Sequence, residues 1–503
     1  MSQHTLWLLR FTYKKLKEKL TVSDSKKLFH EQFPYVIPGL YKRIVDEMLV
    51  ELNLLNHQND FIQDQLFCVG LTETFKELTK GYKPEVHLEL LFESLCNSSN
   101  YDPNKIISEF PALNQKVWDK SLVYLDSAAS MQKPIEVIDI INNNYSKEYS
   151  NVHRGLHFLS EKATESYEEA RRKVAKFINA DEKEVIFTSG ATASINLVAY
   201  SWGMENLSPN DEIILTIAEH HANFVPWQYH AGIKKANIKV AYFDPDKDFD
   251  INIIKSLISD KTKVITFPHV SNVLGTIFPI KEICDLAKSV NAISLVDGCQ
   301  GINHFPVDVK NIGCDFYCFS GHKLYGPTGI GILYGNYKLL ENMPPFLCGG
   351  DMIDVVSIDK TTFADPPLKF EAGTPPIVQA IALGKAIDWI NKYGIENIGI
   401  HEQKLISYAY DKLEKIDGVN IFGKNKNKAG VNSFTMDCAH SHDIATIIDR
   451  EVVAVRAGHH CAQPLLDHFN LSSTTRASVG AYSTYEDFDK LVLSLEKVKK
   501  IFK

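Results

Sequence analysis

Between residues 184 and 327 one pattern recurs: a short apolar, β-branched run stops at a polar cluster, and a helix or turn follows. Glu184-Val185-Ile186-Phe187-Thr188 leads into Ser189-Gly190-Ala191-Thr192, and Ala193 to Tyr200 has helical spacing. Ile213 to Ile217 ends in Ala218-Glu219-His220-His221-Ala222-Asn223, Lys263 to Phe267 in Pro268-His269-Val270-Ser271-Asn272, and Ala292 to Val296 in Asp297-Gly298-Cys299-Gln300. The last run, Cys314 to Phe319, stops at Ser320-Gly321-His322-Lys323 and turns through Gly326-Pro327. Such alternation predicts an α/β fold with a mostly parallel sheet. Ligands of these sheets sit beyond the carboxyl ends of the strands. Each end alone reads as a capped turn; five in succession, leading to one lysine, predict a site.

A lysine at the end of a buried strand has few uses. Desolvation makes an amine a better nucleophile. Such a lysine can form a Schiff base with pyridoxal phosphate, PLP; the plain alternative is a solvated surface turn. PLP also needs an acid for its pyridine nitrogen, a phosphate cup and a flat group against its ring. Lys323, Asp297, Thr192 with Ser320 and His322, and His220 fill these roles in turn. Asp297 precedes Lys323 by 26 residues, one βα step, as adjacent strands require. A small, hydroxyl-bearing turn from strand into helix, such as Ser189 to Thr192, suits a phosphate.

The remaining features narrow the class. A net charge of -8 gives no general reason to expect nucleic acid or an anionic membrane as partner. No apolar run reaches the roughly 18 residues of a membrane span. Met1 to Leu20 is basic and amphipathic, without the apolar core and cleavage site of a secretory signal, and reads as a plain helix. The nine cysteines include no C-x-x-C pair. No zinc site, no other metal and no disulfide framework are expected, and the compartment is a reducing one. Residues 1–106 read as a separate helical unit. Tyr41, Ile44, Val45, Met48, Leu52 and Leu55 have helical spacing, and further helices are expected at Leu71 to Leu78 and Val86 to Leu95.

Two resemblances follow. Thr21-Val22-Ser23-Asp24-Ser25-Lys26-Lys27, Leu40 through Leu52, and Lys80-Gly81-Tyr82-Lys83-Pro84-Glu85 resemble the front part of the thylakoid-formation protein family, over about residues 21–105. This resemblance implies a photosynthetic, cyanobacterium-like source and supplies no active-site residues. From about residue 107 onward, six motifs resemble a SUF-type cysteine desulfurase, a class V, fold-type I PLP enzyme. They are Tyr124-Leu125-Asp126-Ser127-Ala128-Ala129, Asn151-Val152-His153-Arg154-Gly155, Glu219-His220-His221-Ala222-Asn223, His269 to Gly275, Ser320-Gly321-His322-Lys323, and Arg456-Ala457-Gly458-His459-His460-Cys461-Ala462-Gln463-Pro464. The last is the most specific to this branch.

The second resemblance implies a large PLP-binding domain, residues 107–375, with a mostly parallel seven-stranded sheet between helices. A smaller α+β domain, 376–503, carries the cysteine loop. Lys323 would hold PLP and move the substrate's Cα proton. Asp297 would pair with the pyridine nitrogen, Asn272 and Gln300 would contact the phenolic oxygen side, and His220 would stack on the ring. Thr192, Ser320 and His322 would hold the phosphate, beside Ala191. Gly373-Thr374 would reach the partner subunit's phosphate, which implies a homodimer. Arg476 would bind the substrate carboxylate with Arg456 lining the pocket. Cys461 would be the nucleophile that takes sulfur from L-cysteine as a persulfide, for iron–sulfur cluster assembly through a SUF-system acceptor protein in the cytoplasm or, as an alternative, the plastid stroma. His459, His460 and Arg456, close in sequence, would favour its thiolate. Ala191, Ser194 and Ala457 depart from the residues common in the family. A selenocysteine lyase or cysteine sulfinate desulfinase, and a photosystem-linked binding protein acting through the helical extension, are the competing readings.

Overall fold

The computed structural model describes residues 20–58, 65–99, 105–425 and 427–502. The basic stretch that opens the chain lies, up to residue 19, outside the described residues. The chain divides into two compact units, Met1–Ile106 and Ile107–Lys503.

The first unit is helical: Val22–Gln32, Gly39–His57, Gln65–Leu78 and Leu88–Ser98. Thr21 starts the first helix with a reciprocal cap, its hydroxyl accepting from the Asp24 N–H while the Asp24 carboxylate accepts from the Thr21 N–H. Val45, Met48, Leu49 and Leu52 form the buried stripe of the second helix and meet Phe29, Phe75, Leu91 and Leu95. Tyr41, Ile44 and Leu55 of the expected stripe are only partly buried, at its flanks. The third helix begins at Gln65, six residues before the position that apolar spacing predicts. The fourth is preceded by a short 3-10 turn, Glu85–His87.

The second unit is built on seven strands: β1 Val185–Thr188, β2 Glu212–Thr216, β3 Asn237–Ala241, β4 Thr262–Pro268, β5 Ile293–Asp297, β6 Phe316–Ser320 and β7 Gly331–Gly335. Their order is β1-β7-β6-β5-β4-β2-β3. All neighbours are parallel except β7, which runs antiparallel to both β1 and β6. Every residue of β5, β6 and β7 is buried. Sheets covered on both faces read as continuous apolar runs rather than alternations, which is the pattern of this sequence. β7 reverses because only Gly321 to Ile330 separates it from β6. A parallel return needs a crossover of roughly a dozen residues or more.

A second, antiparallel sheet follows: β8 Val419–Phe422, β9 Val431–Met436, β10 Arg456–Gly458 and β11 Thr474–Ser478, in the order β8-β9-β11-β10. The helices Ile395–Leu413, Ser441–Asp449 and Tyr485–Ile501 cover it through Leu405, Leu413, Ile444, Leu491 and Leu495. The preceding helix, Ile377–Tyr393, packs instead on Phe158–Phe177 and Ile135–Asn143, beside the seven-stranded sheet. Val453–Ala454 pairs in parallel with Val123–Tyr124, and Asp126 bridges Ser478. The start of this unit is therefore bound to its C-terminal sheet. Among the described residues no helix is long and apolar enough to cross a membrane.

Candidate active site

The expected cofactor residues gather at the carboxyl ends of the strands. Lys323 closes a 3-10 turn, Gly321–Lys323, directly after β6. Asp297 ends β5 and stands beside Cys318 of β6 in the ladder. One Asp297 oxygen accepts from the Cys299 N–H at 3.0 Å, and the Cys299 thiol also hydrogen-bonds this carboxylate. Lys323 Nζ makes no hydrogen bond or ion pair among the described residues. His220 caps the helix His221–Lys234, its Nδ1 accepting from the Ala222 N–H at 3.0 Å. Burial pushes the His220 imidazole down to about 4, with the Lys323 charge adding to the effect and Asp297 opposing it. A neutral ring thus lies within electrostatic reach of both the lysine and the acid. Glu219 pins the turn that presents it, accepting from the Thr216 N–H and hydroxyl and from Asn223 Nδ2.

The phosphate turn is set by close approach. A Cβ on Gly331 of β7 would lie 2.4 Å from Gly190 Cα, so only glycine lets the Ser189–Thr192 turn rest on that strand. The Ala191 N–H donates to Ser320 Oγ at 2.9 Å, which joins two of the expected cup residues directly. Thr192 is exposed at the start of the helix Ala191–Leu197. Ser194 turns inward and bonds Thr188 Oγ1 and Ile332 O, inside the protomer. His322 Nδ1 lies 3.3 Å from Ser130 Oγ, and burial lowers this imidazole to about 4, with Lys323 and Lys133 contributing. Lys133 donates to the carbonyls of Met131 and His322, and burial brings its amine down to about 8. Gln300 Nε2 donates to Ala128 O at 2.8 Å. Thr374 is exposed, in a loop where the Gly373 N–H donates to Gly350 O.

The second half of the site comes from β10 and β11. Arg456 and Arg476 stand opposite each other in that ladder. Asp126 holds both: Arg456 meets its two oxygens at 3.0 and 2.7 Å, and Arg476 Nη2 lies 3.6 Å from it. Arg476 is buried, and burial lowers its guanidinium to about 10, Asp126 opposing the shift. Its Nη1 donates to Asn272 O at 2.9 Å, while its Nε has no partner. Cys461 is exposed, and both guanidiniums interact with it electrostatically. His460 and Cys461 both take left-handed angles, φ +52° and +56°. The Cys461 carbonyl accepts from the His221 N–H at 2.7 Å, and His221 Nε2 accepts from the Gln463 N–H at 3.0 Å.

One expectation about this loop needs correction. His460 does not supply charge beside the sulfur. Its Nε2 lies against Thr474, and burial, with Arg476 second, pushes the ring down to about 3, so it stays neutral. The nearby cations are the two arginines. Asn272 joins the halves, since its Nδ2 donates to His460 O at 2.6 Å while its own carbonyl receives Arg476. Asp126 was legible only as part of a motif; an acid placed just after a strand was its one signal.

The residues fit PLP: an amine with no ion-pair partner among the described residues, a buried carboxylate at the end of β5, a neutral ring near both, and a cup with backbone and hydroxyl donors. The architecture is that of a fold-type I PLP enzyme. The Aminotransferase class-V family model matches residues 123–491, and the chain belongs to that family. A probable cysteine desulfurase of Staphylococcus epidermidis is 50% identical over 405 residues, 80% of this chain and 98% of the relative. The cysteine desulfurase CsdA of Escherichia coli superposes with a TM-score of 0.74 at 37% identity, covering 80% of this chain and all of the other. The apo cysteine desulfurase of Thermococcus onnurineus gives 0.76 at 36% identity, covering 79% and 98%. The Thylakoid formation protein model matches residues 21–220, beyond the helical unit and into the aminotransferase match. Within that overlap Val185–Thr188 and Glu212–Thr216 are strands of the seven-stranded sheet, so there the fold is that of the PLP enzyme.

Proposed function

We propose that the chain is a PLP-dependent cysteine desulfurase that converts L-cysteine to L-alanine and leaves a persulfide on Cys461. The observation that carries this reading is Asn272, in the turn after β4, which ties the Cys461 loop to Arg476 of β11. The substrate's sulfur and carboxylate would thereby be met from one wall. When bound, PLP supplies an electron sink for the substrate's Cα. Lys323, with its unpaired Nζ, holds the cofactor and moves the Cα proton. Asp297 would meet the pyridine nitrogen with its buried carboxylate, and His220 would cover the ring. Gln300 and Asn272 face the phenolic side, and Ala191, Thr192, Ser320 and His322 form the cup. Arg476 takes the carboxylate and Arg456 lines the pocket beside it. The Cys461 thiolate attacks the substrate sulfur; the C–S bond breaks and its electron pair stays on carbon, which gains a proton on the way to alanine. Thiolate is the reactive form of a cysteine nucleophile.

In this reading residues 107–375 are the cofactor domain, 376–503 the small domain and 1–106 a separate helical domain. Thr374 serves the partner subunit of a homodimer, and a SUF-type acceptor protein removes the sulfur for iron–sulfur clusters in the cytoplasm. Exposure of Thr374 and of Cys461 supports these two roles. The test compares wild type with Cys461→Ala. Both should show PLP absorbance near about 420 nm. Alanine formation from L-cysteine should fall at least about a hundredfold in the variant. Unchanged turnover in Cys461→Ala, or turnover only with selenocysteine or cysteine sulfinate, would replace the desulfurase by a lyase.

A further inference from the structure

Three parts of the site come from distant stretches of chain: the Lys323 turn, the turn that follows Asp297, and β11 with Arg476. One buried carboxyl group connects all three. Glu402, on the helix Ile395–Leu413, is 1% exposed. His304 Nδ1, in the turn after β5, is hydrogen-bonded to its Oε2 at 2.5 Å. The Tyr325 hydroxyl donates to its Oε1 at 3.3 Å. That hydroxyl in turn accepts from the Ala481 N–H at 2.8 Å, just beyond the end of β11. Tyr325 follows Lys323 by two residues, is fully buried and has φ +59°. A tyrosine in the left-handed region is strained and persists only where its surroundings over-determine it.

The packing is shaped around this group. A Cβ on Gly399 would lie 2.1 Å from His304 O, and one on Gly430 would lie 2.2 Å from His304 Nε2. Gly399 therefore makes room for the His304 backbone, and Gly430 for its imidazole. An apolar residue at 402 would pack this helix without the desolvation that a buried acid costs. What the acid adds is a fixed geometry among three segments 77 to 98 residues away in sequence.

We propose that Glu402 is a positioning residue, which through Tyr325 and His304 holds Arg476 in register with Lys323. The proposal rests on the reading of Arg476 as the ligand of the substrate carboxylate. It concerns binding of that carboxylate and not the attack by Cys461.

The test uses holoenzyme: wild type, Glu402→Leu, Glu402→Gln and Tyr325→Phe. Each is titrated with L-alanine, which carries the carboxylate and no sulfur, by the change in bound-cofactor absorbance. Each is also assayed with L-cysteine, and its PLP affinity is measured. Glu402→Leu and Tyr325→Phe should weaken L-alanine about tenfold and raise KM for L-cysteine in parallel, since a small misplacement of a binding group is enough for this. kcat and PLP affinity should stay within about twofold. Glu402→Gln, which keeps polar partners for Tyr325 and His304, should recover most of the L-alanine affinity. Unchanged L-alanine affinity in both the Leu and the Phe variants overturns the proposal. An equal loss of PLP affinity also overturns it, because it marks a merely structural role. If wild type binds L-alanine yet forms no alanine from L-cysteine, the desulfurase reading falls, and the L-alanine titration still decides the role of Glu402.

Discussion

Asp297 and Lys323 stand at the ends of neighbouring strands that are buried at every position. Cys461 stands in an exposed loop where two consecutive residues other than glycine take left-handed angles. Strand ends are fixed by the ladders on either side, so β5 and β6 hold the acid and the amine in one register. The loop has no ladder of its own. Left-handed angles disfavour ordinary residues by roughly 1–2 kcal/mol each. The loop keeps them because β10 is zipped to β11 before it and His221 grips both Cys461 and Gln463. The difference matches the tasks. Groups that hold a cofactor gain from rigidity, whereas a sulfur carrier must present its atom both to substrate and to an acceptor.

The largest expected effect separates the two regions outright. Lys323→Ala should lower alanine formation by about a thousandfold or more, the scale of a lost acid–base group. Alkylation of Cys461 by iodoacetamide should proceed at close to the wild-type rate in the same variant. Slowed alkylation would mean that the loop depends on the cradle. A smaller effect acts from the other side. Asp126→Asn removes the carboxylate that Arg456 and Arg476 share and should destabilise the protein by about 2 kcal/mol, part of what a broken buried pair costs. Denaturant unfolding would measure this, and KM for L-cysteine should rise while the spectrum of bound PLP stays unchanged. If neither stability nor KM moves, Asp126 is not the shared anchor.

The most gradual effect is set by pH and is shared among several buried histidines, His220 of the cradle and His269 among them. Burial pushes both His220 and His269 down to about 4 from an ordinary 6.5. As pH falls from 6.5 towards 4, the unfolded chain takes up protons that these folded rings refuse. Stability is therefore fully present above about pH 6.5 and is lost on acidification, by up to about 1.4 kcal/mol per pH unit for each ring. Guanidinium unfolding between pH 6.5 and 4.5 should show this slope, and His220→Gln should flatten it by about one proton. An unchanged slope would place the acid sensitivity elsewhere.

Much of the cradle could be read from residue order, because each of its groups sits directly after an apolar run. Lys323, Asp297 and His220 are local features of this kind. The role of Asp126 was not legible, since its partners lie 330 and 350 residues away and no local pattern links them. The neutral state of His460 was hidden for a related reason: burial against Thr474 is a property of the folded neighbourhood. Ser194 likewise reads as a substitution in a motif, and only the fold shows that its hydroxyl closes on Thr188 and Ile332.

The sequence by itself determined the alternation of buried strands and helices, the polar ends of those strands, the helical character of the first unit, and the motif around Cys461. Periodicity, turn residues and chain order carry that information, and all three are local. Tertiary structure alone decided which charges meet. It brought Asp126 between two arginines, set His460 against Thr474, and set Glu402 between His304 and Tyr325. Side chains far apart in sequence acquire partners, and buried ones lose water, only once the layers have packed. Charge state and register therefore belong to the fold.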